Sequence, residues 1–221
     1  MKFPHAYNGV KNIYTAVFLQ LLSAIAFACM SMIVSVGQAR DAAESVAAVA
    51  GVLMIAGVVA GFVSFILNVK GTIDASQDEP VFRKALIWLC VGIIGSVAAS
   101  VFQSSNTLLS SLAAVIGNIG DLLAVYYILT GIISLAKHML DQAVGDLAKK
   151  AINRFITAQI ISIAAAIGAI FTIAGVQDQT TLGLIGIAVT LLALASLIFE
   201  LIAFIVYLKT LSSAKRMLAE K

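Results

Sequence analysis

Charge is scarce in this sequence. Asp, Glu, Lys and Arg make up 11% of its 221 residues, where a soluble domain carries about 25%. That scarcity excludes an ordinary water-soluble globular domain. The net charge of +3 is small, and the basic residues form no long cluster, so no nucleic-acid partner is expected. Proline is scarce too. Only Pro4 and Pro80 occur, neither inside a long apolar run, which speaks against a transporter built on discontinuous helices. Cys29 and Cys90 both lie inside apolar runs, which excludes a disulfide framework. With His5 and His138 they make no metal-ligand spacing, so neither a metal nor a cofactor is expected.

Enzyme signatures are missing as well. There is no Gly-x-x-x-x-Gly-Lys-Ser/Thr, no His-Glu-x-x-His and no Gly-x-Ser-x-Gly, so the chain reads as a non-enzyme. Gly120-Asp121 touches the Gly-x-Gly-Asp pattern of intramembrane aspartyl proteases. Asn118 stands where the first glycine belongs, however, and no second membrane aspartate completes a dyad.

What the sequence has is apolar length: 61% hydrophobic residues and a mean hydropathy of +1.05. A helix of ~20 apolar residues crosses a bilayer. Runs of that kind occupy 13–36, 45–69, 85–102, 108–136, 155–176 and 181–208. The first exceeds the ~7–15 residues of a signal-peptide core and reads as a span. The uncharged run from 85 to 120 is too long for one span, and Gln103-Ser104-Ser105-Asn106-Thr107 divides it. Residues 37–44 and 177–180 are expected as tight connectors, 70–84 as a polar loop and 209–221 as a basic tail. Between 137 and 154, Leu140, Val144, Leu147 and Ala151 recur at helical spacing. That predicts either an interfacial helix or extensions of the flanking spans. The expected fold class is therefore all-α membrane: one integral domain over 1–221, a bundle of six transmembrane helices.

Six spans place both termini on one side. That side carries Lys2, Lys11, Lys70, Arg83, Lys84, Lys137, Lys149, Lys150, Arg154, Lys209, Lys215, Arg216 and Lys221, against Arg40 alone on the other. The positive-inside rule makes the basic side cytoplasmic. The expected location is the cell (cytoplasmic) membrane with both termini inside. Tyr14, Phe82, Trp88 and Tyr207 fall near the basic ends of spans, where an interfacial aromatic belt belongs.

Short strings repeat. Ala136-Lys137-His138-Met139-Leu140 closes the fourth span and Ala214-Lys215-Arg216-Met217-Leu218 follows the sixth, while Thr15-Ala16 matches Thr157-Ala158. These matches suggest three helical-hairpin repeats, set against chance similarity among Ala/Ile/Leu-rich helices. The Pro-x-acid-x-x-base signature of mitochondrial carriers is absent. In size and termini-inside layout the chain is similar to the small substrate-binding subunits of vitamin uptake systems, where Ala24-x-x-x-Ala28 would suit docking to a partner subunit.

Two acids stand out, Asp121 in the fourth span and Glu200 in the sixth. A carboxylate in the bilayer costs roughly 2.5–3.5 kcal/mol on insertion scales and is a functional candidate by default. Its plainer role is helix-bridging glue. Asn118 shares a helical face with Asp121, and Tyr126 and Tyr127 follow one to two turns on. Gln20 and Gln159, each with a serine three residues later, can line a polar path or bridge helices. Gly57-x-x-x-Gly61 permits close helix approach, within the bundle or in a homo-oligomer. The functional expectation is transport or channel-like passage of a small solute, proton or cation past Asp121 and Glu200, with the lipid bilayer as solvent. The alternative is a non-catalytic membrane scaffold, assembly factor or regulatory subunit with a protein partner.

Overall fold

The structure, a computed structural model, describes residues 2–38, 43–105, 107–173 and 179–220. Among them every regular element is an α-helix: α1 (Pro4–Gln38), α2 (Ala43–Asp78), α3 (Val81–Phe102), α4 (Thr107–His138), α5 (Gln142–Ile173) and α6 (Gln179–Glu220). Helices satisfy their own backbone groups, as lipid requires. Five of the six, all but α5, are long and apolar enough to cross a membrane. The first half of α5 carries Asp146, Lys149, Lys150 and Arg154, and the apolar run 155–176 passes the last described residue of that helix. The all-helical bundle is compatible with a multi-pass membrane protein.

Consecutive helices pack as three pairs, α1 with α2, α3 with α4 and α5 with α6. Small residues let the first two pairs close. On α3 and α4, a Cβ on Gly95 would lie 2.5 Å from the Gly117 nitrogen and one on Gly120 2.5 Å from the Gly92 nitrogen, so the two backbones touch. The α1–α2 seam is stitched by hydroxyls: Ser23 donates to the Gly57 carbonyl and Ser64 to the Ala16 carbonyl, both at 2.8 Å. Gly57 faces the Phe27 ring and Gly61 faces Ser23, so α1 covers this face of α2. Ala24 and Ala28 are exposed on α1.

The start of α1 and the end of α6 lie at one end, here termed basal. The Ala6 N–H in the first turn of α1 donates to Asp78 at the end of α2 at 2.7 Å, and Lys215 of α6 lies 4.8 Å from the Tyr14 ring centroid. The buried core belongs to this end and draws on all six helices, with Ile13, Ala75, Phe82, Ile132, Ala148 and Leu211 each 0% exposed. Distally the large apolar residues turn outward, among them Met32, Val52, Ile94, Leu112 and Leu197 at 54–68% exposure. The three pairs thus share a basal hub and present separate apolar walls above it.

Most of the expected polar loop is helical, and so is the basic tail up to Glu220. The polar residues 70–78 continue α2, because Gly71, Thr72 and Ala75 pack into the bundle while Lys70 and Ile73 face out. The loop shrinks to Glu79 and Pro80. Residues 209–220 continue α6, because Leu211, Ala214, Met217 and Leu218 recur at three- and four-residue spacing and are buried in the hub. Between 137 and 154 the flanking helices extend to meet at a tight corner. The Asp141 N–H donates to the Ala136 carbonyl at 2.9 Å and the Leu140 N–H to the Lys137 carbonyl at 3.2 Å, a Schellman closure with Leu140 at φ 58°. Asp141 then caps α5, its carboxylate accepting the Val144 N–H at 3.2 Å. Of the expected connectors 37–44 and 177–180, residues 39–42 and 177–178 lie outside the described residues and the rest belong to helix ends.

Candidate functional site

Asp121 and Glu200 hold the same register on their helices. Seven, eleven and fourteen residues basal to Asp121 stand Ile128, Ile132 and Leu135, exposed by 1%, 0% and 0%. At the same steps from Glu200 stand Tyr207, Leu211 and Ala214, at 3%, 0% and 0%. Steps of seven, eleven and fourteen keep to one helical face. Each acid therefore extends a stripe that forms the hub, and the residue three positions basal to it on the same face, Ala124 or Ala203, is already packed at 1% or 0% exposure. Both acids are nevertheless exposed, although Gly117 and Ser196, one turn distal on the same faces, are buried.

Local packing sets each carboxylate differently. Asp121 rests against Gly92 of α3, where a Cβ would overlap its Oδ1. Among the described residues it has no hydrogen-bond or ion-pair partner. Asn118, one turn distal on the same face, is exposed. Glu200 accepts one hydrogen bond on Oε1, from the buried Ser196 hydroxyl at 3.2 Å. Direct packing between α4 and α6 is slight, and the two carboxylates do not pair. Each has hydrogen-bonding capacity left over for a proton, a cation or a donor group.

The other expected residues are dispersed. Tyr126 and Tyr127 leave the Asp121 stripe. Their rings meet edge to face at 5.3 Å, and the Lys84 ammonium lies 5.8 Å from the Tyr127 centroid. Tyr126 borders the groove between α4 and α5. Gln20 is exposed on α1 and Gln159 half-buried on α5, and neither bridges to another helix among the described residues. The bridge instead comes from Ser23.

Two polar features were not anticipated. Asn68 on α2 holds a buried Oδ1 without a hydrogen-bond partner, and Ala75 seven residues basal to it is fully buried. Its sequence signal was an amide inside an uncharged run. At the α2–α3 corner, Glu79 is 6% exposed and accepts hydrogen bonds from the Ser134 hydroxyl at 2.8 Å and the Val81 N–H at 3.5 Å. His138 Nδ1 lies 3.9 Å from the same carboxylate. This corner ties α2, α3 and α4 together. No cluster of three His, Cys, Asp or Glu side chains able to hold a metal occurs among the described residues.

The chain matches no protein family, no curated protein and no solved structure.

Proposed function

We propose that the chain is a six-span bundle of the cell membrane, both termini cytoplasmic, that passes a proton or small cation between its helix pairs at Asp121 and Glu200. In this reading α5 supplies the sixth span, and the bundle is non-enzymatic. The observation that carries the proposal is the matched register: each acid continues, at equal height, the stripe that forms the hub. Intramembrane acids that turn toward a bundle interior mark ion and proton paths. A lone carboxylate in lipid is expensive, so one lacking an internal partner needs a ligand or hydration to compensate. The basic girdle supports the orientation, since Lys11, Lys70, Lys84, Lys149 and Lys209 stand exposed on five helices at the basal end.

The test is flux into vesicles reconstituted with the purified protein, read with a pH-sensitive dye and with monovalent cation indicators. Asp121→Asn and Glu200→Gln should each cut the flux by about tenfold or more, as expected for loss of a charge-bearing site. Unchanged flux in both variants would remove the acids from the path. Absence of any flux, together with copurification of a stoichiometric membrane partner, would favour a scaffold or regulatory subunit.

A further inference from the structure

The groove between α4 and α5 holds two cavities stacked along its length. The upper one, ≈250 Å³, is walled by Leu122, Val125 and Leu129 of α4 and by Ile152, Phe155 and Ile156 of α5, with no polar wall. The lower one, ≈420 Å³, is bordered by Lys137, Leu140, Gln142, Asp146 and Lys149. Helical spacing joins them: Ile133 stands one turn below Leu129, and Lys149 one turn below Ile152. From Leu122 to Lys137 the groove runs ~22 Å along α4. That is about the depth of one bilayer leaflet, half the ~30 Å hydrocarbon core plus its headgroup layer.

We infer that this groove is a binding site for a single glycerophospholipid with a zwitterionic, ammonium-bearing headgroup. Part of an acyl chain fills the upper cavity, where aliphatic side chains and the Phe155 and Tyr126 rings meet it. The phosphate lies between the Lys137 and Lys149 ammonium groups. Asp146, which holds Lys149 at 3.0 Å, faces the headgroup ammonium. The four charged side chains bordering the lower cavity, Lys137 and Lys149 against Asp141 and Asp146, sum to zero. That balance selects a zwitterion over a net anion. The inference does not depend on Asp121 or Glu200, neither of which borders the groove.

The test uses native mass spectrometry of the delipidated full chain in mild detergent. The probes are dioleoylphosphatidylethanolamine, dioleoylphosphatidylglycerol and dioleoylglycerol. One phosphatidylethanolamine should be retained, about tenfold more tightly than either other lipid, a difference of ~1.4 kcal/mol. Ile156→Trp narrows the upper cavity from an exposed position and should weaken retention of all three. Lys137→Ala combined with Lys149→Ala should erase the preference for phosphatidylethanolamine over dioleoylglycerol. Retention by Ile156→Trp at the wild-type level, equal binding of the three lipids, or a preference surviving the double lysine change would overturn the proposal. A helical circular dichroism spectrum matching the wild type qualifies each variant for comparison.

Discussion

The Asp121 carboxylate lies against Gly92 of α3, where a side chain on α3 would displace it. The same glycine admits the α4 backbone at Gly120. Gly92 thus serves helix packing and the placement of the acid at once.

Gly92→Leu should therefore separate α3 from α4. Overpacking a closed seam costs about 1–3 kcal/mol, to be read as a lowered thermal midpoint in mild detergent. Gly51→Ala is the control, because a Cβ there meets nothing within 4 Å. It should leave the midpoint unchanged or raise it, alanine being favoured by up to ~1 kcal/mol inside a helix.

Glu79 is the second pivot. Glu79→Ala leaves the Ser134 hydroxyl without its acceptor in a buried corner, a loss of about 1–3 kcal/mol. Glu79→Gln keeps an acceptor oxygen and should recover part of that stability. His138, 59% exposed and 3.9 Å away, adds little, so His138→Ala should move the midpoint far less than Glu79→Ala.

Leu140 occupies a left-handed backbone position at 88% exposure. The side chain makes the conformation unfavourable and recovers no core burial. Leu140→Gly should stabilise the α4–α5 corner by roughly 0.5–1 kcal/mol after allowing for glycine's greater freedom in the unfolded chain. Leu140→Ala keeps the Cβ and should give no such gain in thermal midpoint.

The helices and the two acids were legible in the sequence because each is a departure from a uniform background: long apolar runs, and single charges within them. Segment 70–78 reads as a loop in the sequence because its charge density outweighs its spacing, and the charges of 209–220 hide its packing in the same way. Yet Leu211, Ala214 and Leu218 already recur on one helical face, and Gly71 and Ala75 are four residues apart. The α3–α4 seam was missed because Gly92 and Gly95, and Gly117 and Gly120, are three apart rather than four, and their partnership depends on how two helices cross. Gly57 and Gly61 were noticed, but only packing reveals that α1 covers them. The register shared by Asp121 and Glu200 could be counted along the chain, but it acquired meaning only once Ile128, Ile132, Tyr207 and Leu211 were seen to be buried.

The central claim is that both acids open on a polar space between the helix pairs rather than on lipid. Thiol accessibility tests it most directly, since a maleimide reacts with the ionised thiol and ionisation needs water. With Cys29 and Cys90 replaced by serine, single cysteines at Asp121→Cys and Glu200→Cys are compared in vesicles with Ile119→Cys and Leu201→Cys, whose native side chains are 48% and 53% exposed on the apolar walls. A water-soluble maleimide should label the two acid positions about tenfold faster than their neighbours. Labelling of Asp121→Cys and Glu200→Cys no faster than the wall positions would contradict the account.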